Sequence, residues 1–125
     1  MANISSAESL SRYIFSEKYY SKSDNRVRFN AFMPRENEVK ISVFRIDGLG
    51  SQEIWDIGKE VAKNRNPSLK GRADLLVEHV SQAKLSVESD EPPQRHANIV
   101  FPSKDKSEQK LIAIKLAGSA NLRLI

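Results

Sequence analysis

Between residues 26 and 33 the chain alternates cleanly. Val27, Phe29, Ala31 and Met33 fall on one side, with Arg26, Arg28 and Asn30 on the other. A period of two is the pattern of a half-buried strand, and Pro34 closes it. After a polar turn over residues 35–38, the run VKISVFRI at residues 39–46 reads as a second strand. Its alternation slips after Val43, because Phe44 and Ile46 occupy the opposite phase; a bulge or burial on both faces accounts for that. The two segments are expected to form a hairpin. Asp47-Gly48-Leu49-Gly50 then makes a turn, and Ser51 is placed as the cap of a helix with Glu53 near its positive end. Ile54, Ile57 and Val61 recur at helical spacing with Trp55 beside them, which predicts a helix over residues 51–63 ended by Asn64-Arg65-Asn66-Pro67.

Two periods compete over residues 71–90. Leu75, Leu76, His79, Val80 and Ala83 share a helical face, while Ala73, Leu75 and Val77 alternate. The choice made is a short helix followed by a strand at residues 85–87. Residues 98–101 read as a buried strand. A last helix, capped by Ser103 or Ser107, is expected to reach about Ala117 with Leu111, Ile114 and Ala117 as its core face. Gly118 would stop it, and residues 122–125 would return as a terminal strand. At the other end, residues 1–11 are Ser-rich and polar and read as a flexible arm or a short helix over residues 7–10. Strands and helices mix without strict βαβ alternation. The expected class is therefore α+β: a single domain over residues 12–125, with an antiparallel or mixed sheet of about four or five strands against two or three helices.

Composition narrows the field. A length of 125 residues fits one domain, and 39% hydrophobic residues with a mean hydropathy of −0.50 suit an ordinary soluble core. No apolar run approaches the ~20 residues that cross a bilayer, and the first residues lack the pattern of a secretory leader. The absence of cysteine excludes disulfides, thiolate metal sites and a cysteine nucleophile. A cytoplasmic protein with no cofactor and no membrane partner is expected. Twenty Lys and Arg against sixteen Asp and Glu give a net charge of +4, which is compatible with an anionic partner.

Three basic groups are candidates for such a partner. In DEPPQRHANIVFP, residues 90–102, Pro92 and Pro93 restrict the backbone that delivers Arg95 and His96. His96 there is either an acid/base or anion contact, or a packed ring at a strand edge. In Lys70-Gly71-Arg72-Ala73-Asp74, Arg72 has the planar fork for a phosphate or for a local pair with Asp74. Arg26 and Arg28, with Arg45 across the hairpin and Tyr19 and Tyr20 nearby, resemble a charge-plus-stacking surface for single-stranded nucleic acid, or else a solvated strand face. Trp55 is either core or the anchor of a partner interface. Sharper motifs fail. Asp24 with Glu38 and Lys40 copies a nuclease spacing without its supporting helix, Gly48-Leu49-Gly50-Ser51 lacks a dinucleotide or phosphate-loop pattern, and His79 with His96 makes no metal set.

The runs VFRIDGL, EIWDIG, GRADL and DEPPQRHANI, in that order, resemble a group of small bacterial proteins to which no activity is attached, over roughly residues 12–117. The resemblance implies no ligand, cofactor or catalytic residue. Asn-Ile-Val-Phe-Pro stands where that pattern would end in Gly-Trp-Pro, so Phe101 is expected to pack as the tryptophan would. Three functions remain open. One is a binding module whose Arg26, Arg28, Arg72, Arg95 and His96 engage a nucleic acid or nucleotide. Another is an accessory subunit of a toxin–antitoxin or defence operon, docking an operon-encoded protein through the Trp55 helix or a sheet edge. The third is a metal-independent ribonuclease with His96 as acid/base and Arg72 or Arg95 stabilising phosphorane charge.

Overall fold

A computed structural model describes residues 4–63 and 68–125. Its principal sheet is antiparallel throughout and has six strands: β1 (Ser9–Ile14), β4 (Lys40–Arg45), β5 (Gly71–Leu76), β6 (Ser86–Ser89), β7 (His96–Val100) and β8 (Asn121–Leu124). Their order is β6-β7-β4-β1-β5-β8. A second, two-stranded sheet pairs β2 (Tyr20–Ser21) with β3 (Arg26–Val27). Among the described residues there are three α-helices: α1 (Ser51–Ala62), α2 (Val77–Gln82) and α3 (Lys106–Ser119). The class is α+β, with more strands than expected.

Directly paired residues share a face of a sheet, so the register sorts the core. Tyr13 on β1 and Phe44 on β4 face α1, where they join Ile46, Ile54 and Leu69 in one apolar cluster. Leu10, Ile14, Ile41, Val43, Ala73 and Ile99 face the other way, against Phe32, Leu116 and Val80. The phase slip at Val43 and Phe44 thus reflects burial on both faces: Val43 is fully buried on one side and Phe44 is 6% exposed on the other. Phe101, 3% exposed, belongs to the larger cluster.

Several expectations change. The first eleven residues are not all an arm, because β1 starts at Ser9 and Leu10 and Ser11 are fully buried. Residues 26–33 are a strand for only two positions. The 3-10 turn Phe29–Phe32 follows, and it buries the neighbours Ala31 and Phe32 together, which an alternating strand would separate. No hairpin joins β3 to β4, since β3 pairs with β2 while β4 pairs with β1 and β7. Residues 71–76 are extended, and helix begins only at Val77, where the Nδ1 of His79 accepts from the Leu76 N–H at 3.2 Å. Helix α1 is capped from Gly50, whose N–H donates to Oε1 of Glu53 at 3.2 Å, rather than from Ser51. Its expected terminator, residues 64–67, lies outside the described residues. Helix α3 is capped by Asp105, which accepts from the Ser107 N–H at 3.0 Å, and it passes Gly118 to end at Ser119. Its buried face is Gln109, Ala113, Leu116 and Ala117, while Leu111 and Ile114 point outward.

Candidate functional site

Strand β1 pairs with β5 along its whole length but with β4 only at Leu10↔Arg45 and Ser11↔Phe44. Beyond those two pairs β1 and β4 part. Arg12 sits at the fork: its Nη1 donates to the Ser42 carbonyl at 2.7 Å and its Nε to the carbonyl of Ala31. A side chain thereby occupies the position of the next ladder bond and ties the 3-10 turn to the fork. The space between the diverging strands is a cleft of about 630 Å³.

Among the described residues, Arg12, Lys18, Arg35 and Lys40 line it against a single carboxylate, Glu38. Tyr13, Phe15, Tyr19 and Phe44 supply aromatic surface to the same walls. The Nζ of Lys18 lies 5.1 Å from the Tyr19 ring centroid, so cation and ring already share a side of the cleft. Lys40 reaches Glu88 at 3.7 Å, but both side chains are more than half exposed and such a pair contributes little. Lys106 donates to the carbonyls of Pro34 and Arg35 at 2.9 and 2.8 Å, which fixes the backbone that carries Arg35. Asn30, also in the wall, donates from Nδ2 to the Lys18 carbonyl at 3.1 Å, and its Oδ1 is buried without a partner. A cleft of this make-up suits a ligand with negative charge and flat, polar-edged rings.

The residues singled out from sequence do not meet at one point. Arg26 is exposed, 3.8 Å from Asp24 on the small sheet, and Arg28 is exposed at the entrance to the 3-10 turn. Arg45, placed across a hairpin from them, is on the main sheet, where Glu8 takes bonds from its Nε and Nη2. That bond to Glu8 raises the Arg45 pKa further, against a smaller opposing effect of burial. Arg72 on β5 and His96 on β7 are separated by β1 and β4. With neighbouring strands about 4.8 Å apart, that places their backbones roughly 14 Å from one another.

Each is also engaged. Arg72 is 5% exposed, its Nε donates to Oδ2 of Asp74 at 3.0 Å, and its guanidinium carbon lies 4.5 Å over the Trp55 ring. Trp55 therefore packs on the sheet through Arg72 and on the α1 cluster. His96 bonds through Nδ1 to the Asp90 carbonyl at 2.9 Å, and its ring meets Phe44 edge-on at 5.3 Å. Arg95, at φ 71°, donates its N–H to Glu91 at 2.6 Å and its Nη1 to the carbonyls of Arg45 and Asp47 at 3.2 and 3.4 Å. The segment DEPPQR is the loop of the β6–β7 hairpin.

Among the described residues no group of three or more His, Asp or Glu could hold a metal ion, and no helix is long and apolar enough to cross a membrane. No family model, curated protein or solved structure matches the chain. The cleft residues Arg12, Lys18, Arg35 and Lys40 escaped the sequence because they are scattered over nearly thirty positions. Strands β1 and β4 carry only Arg12 and Lys40, while Lys18 comes from the 3-10 turn Glu17–Tyr19 and Arg35 from the loop before β4. Tyr19 does lie beside Arg28, whose N–H donates to its carbonyl at 2.9 Å, but its ring is shared with Lys18 in the cleft wall.

Proposed function

We propose that the cleft between β1 and β4 binds a phosphate-bearing ligand, with a segment of single-stranded nucleic acid as the best match, and that the protein acts as a binding module in a bacterial cytoplasm. The observation that carries this reading is the set of four cations and four aromatic rings that, among the described residues, line one cleft against a single acid. Cations at the mouth would hold phosphates, and a base would stack on Tyr19 or Phe15. The Arg72, Arg95 and His96 group is not part of this site.

Fluorescence anisotropy of a labelled oligonucleotide tests it. Three rim cations, Lys18, Arg35 and Lys40, are expected to give a log–log salt slope of about −2 for a single strand. The pair Arg35→Glu and Lys40→Glu is expected to weaken binding at least tenfold. Arg26→Glu with Arg28→Glu, on the small sheet and at the entrance to the turn that follows it, should change it less than threefold. A salt-independent affinity, or equal losses in both double variants, overturns the assignment to the cleft. Competition by a mononucleotide as effective as the oligonucleotide would identify the ligand as a nucleotide.

A further inference from the structure

The apolar surface of α3 is divided between two sides. Ala113, Leu116 and Ala117 are buried against the larger cluster, whereas Leu111 and Ile114 stand 65% and 48% exposed. Ser107 and Gly118, about a turn before and a turn after them, are exposed on the same line. Positions 107, 111, 114 and 118 thus form a narrow stripe at spacings of four, three and four, the seam that a helix offers to another helix. A Cβ built on Gly118 would meet no atom within 4 Å, so the end of the stripe is open.

We infer that this stripe is the docking surface for α3 of a second copy of the chain, lying antiparallel across a two-fold axis. The spacing is self-complementary. With the axis midway between Leu111 and Ile114, each Leu111 packs on the partner's Ile114, and each small Ser107 meets the partner's Gly118, leaving the helices free to approach at both ends. Charge agrees. In an antiparallel two-fold pair, like flanks of the seam face each other. Glu108 and Lys115 lie on one flank, so each Glu108 meets the partner's Lys115, and the contact occurs twice. The opposite flank carries Lys110, whose Nζ already lies 5.0 Å from the Phe29 ring of its own chain. A surface that matches itself in both shape and sign selects a copy of itself over an unrelated apolar partner.

The association is weak. A helix of fourteen residues is about 21 Å long, and one seam covers only part of the ~800 Å² per partner of a standard interface. Sedimentation velocity of the full chain from about 10 µM to 1 mM should show the mass rising from one chain to two, with a dissociation constant of roughly 100 µM. Leu111→Glu should abolish the rise while leaving the thermal melt unchanged, because the side chain is largely exposed; Leu111→Ser is the substitute if the charged variant fails to fold. Lys115→Glu should weaken association several-fold, and adding Glu108→Lys should restore it. One-chain mass across the whole range, a dimer that survives the Leu111 variants, or a double reversal weaker than Lys115→Glu alone each overturns the inference.

Discussion

At the scale of the residue, Tyr13 holds the α1 side of the molecule together. Its ring packs 5.7 Å from Phe44 and its hydroxyl donates to the Ile54 carbonyl. Burial pushes the phenol pKa well above its ordinary value; the nearby Arg72 charge opposes this and Asp74 adds to it. A folded-state pKa raised above the unfolded value of about 10 means the native state holds the proton more tightly than the unfolded chain. The contribution of Tyr13 is therefore complete below about pH 10 and is lost as pH rises beyond it. In urea titrations the midpoint should fall more steeply above that pH in the wild type than in Tyr13→Phe. At neutral pH the variant should be about 1 kcal/mol less stable for want of the carbonyl bond. Parallel alkaline declines in the two proteins would show that another group is responsible. The sequence placed Tyr13, Tyr19 and Tyr20 together without distinguishing them. Tyr13 faces inward because β1 is central, and that position depends on partners more than thirty residues away.

At the scale of the element, α1 is seated where it has no side chain. A Cβ at Gly58 would stand 2.6 Å from Cε1 of Tyr13, 2.8 Å from its Cδ1 and 3.0 Å from Cδ2 of Leu69. The Tyr13 ring cannot yield, because its hydroxyl is tied to Ile54 on the same helix. Alanine adds helix propensity of up to about 1 kcal/mol, yet overpacking costs about 1–3 kcal/mol. Gly58→Ala should thus lower the thermal midpoint by several degrees, and the loss should largely vanish in a Tyr13→Leu background, where the ring is gone. A stabilised Gly58→Ala would mean that α1 slides freely over the sheet. Helix α1 itself was legible, as were β4, β7 and β8, because their apolar patterns are local. Helix α3 misled because it carries apolar residues on both sides: Leu111 and Ile114 have helical spacing but belong to the outer stripe. The 3-10 turn Phe29–Phe32 mimicked a strand because four residues are too few to separate a period of two from a period of three. The cleft was invisible for a related reason. It is made by the missing part of a ladder, and no local pattern records where two distant strands stop pairing.

At the scale of the whole molecule, β1 is the keystone of the sheet. It lies third from one edge, bridges β4 to β5, and sends Leu10 and Ile14 into one apolar cluster and Tyr13 into the other. Just before it, Glu8 is 8% exposed and bonds both Nε and Nη2 of Arg45, and the Glu8 carbonyl accepts from the Val77 N–H at 2.9 Å. Residues 8–11 thus close contacts to β4, β5 and α2 at once. Removing residues 1–11 would strip half of β1, leave the Arg45 guanidinium without its carboxylate and expose Leu75, the cross-strand partner of Leu10. Burying Leu10 alone contributes about 2 kcal/mol, and breaking the Glu8–Arg45 pair costs more, against a total stability of about 5–15 kcal/mol for a domain of this size. The shortened chain is expected to show no cooperative thermal transition by circular dichroism and a near-ultraviolet spectrum without native aromatic signal. A truncated protein that melts within a few degrees of the full chain would mean that β4 and β5 close on each other without β1, and the fork that makes the cleft would lose its physical basis with it.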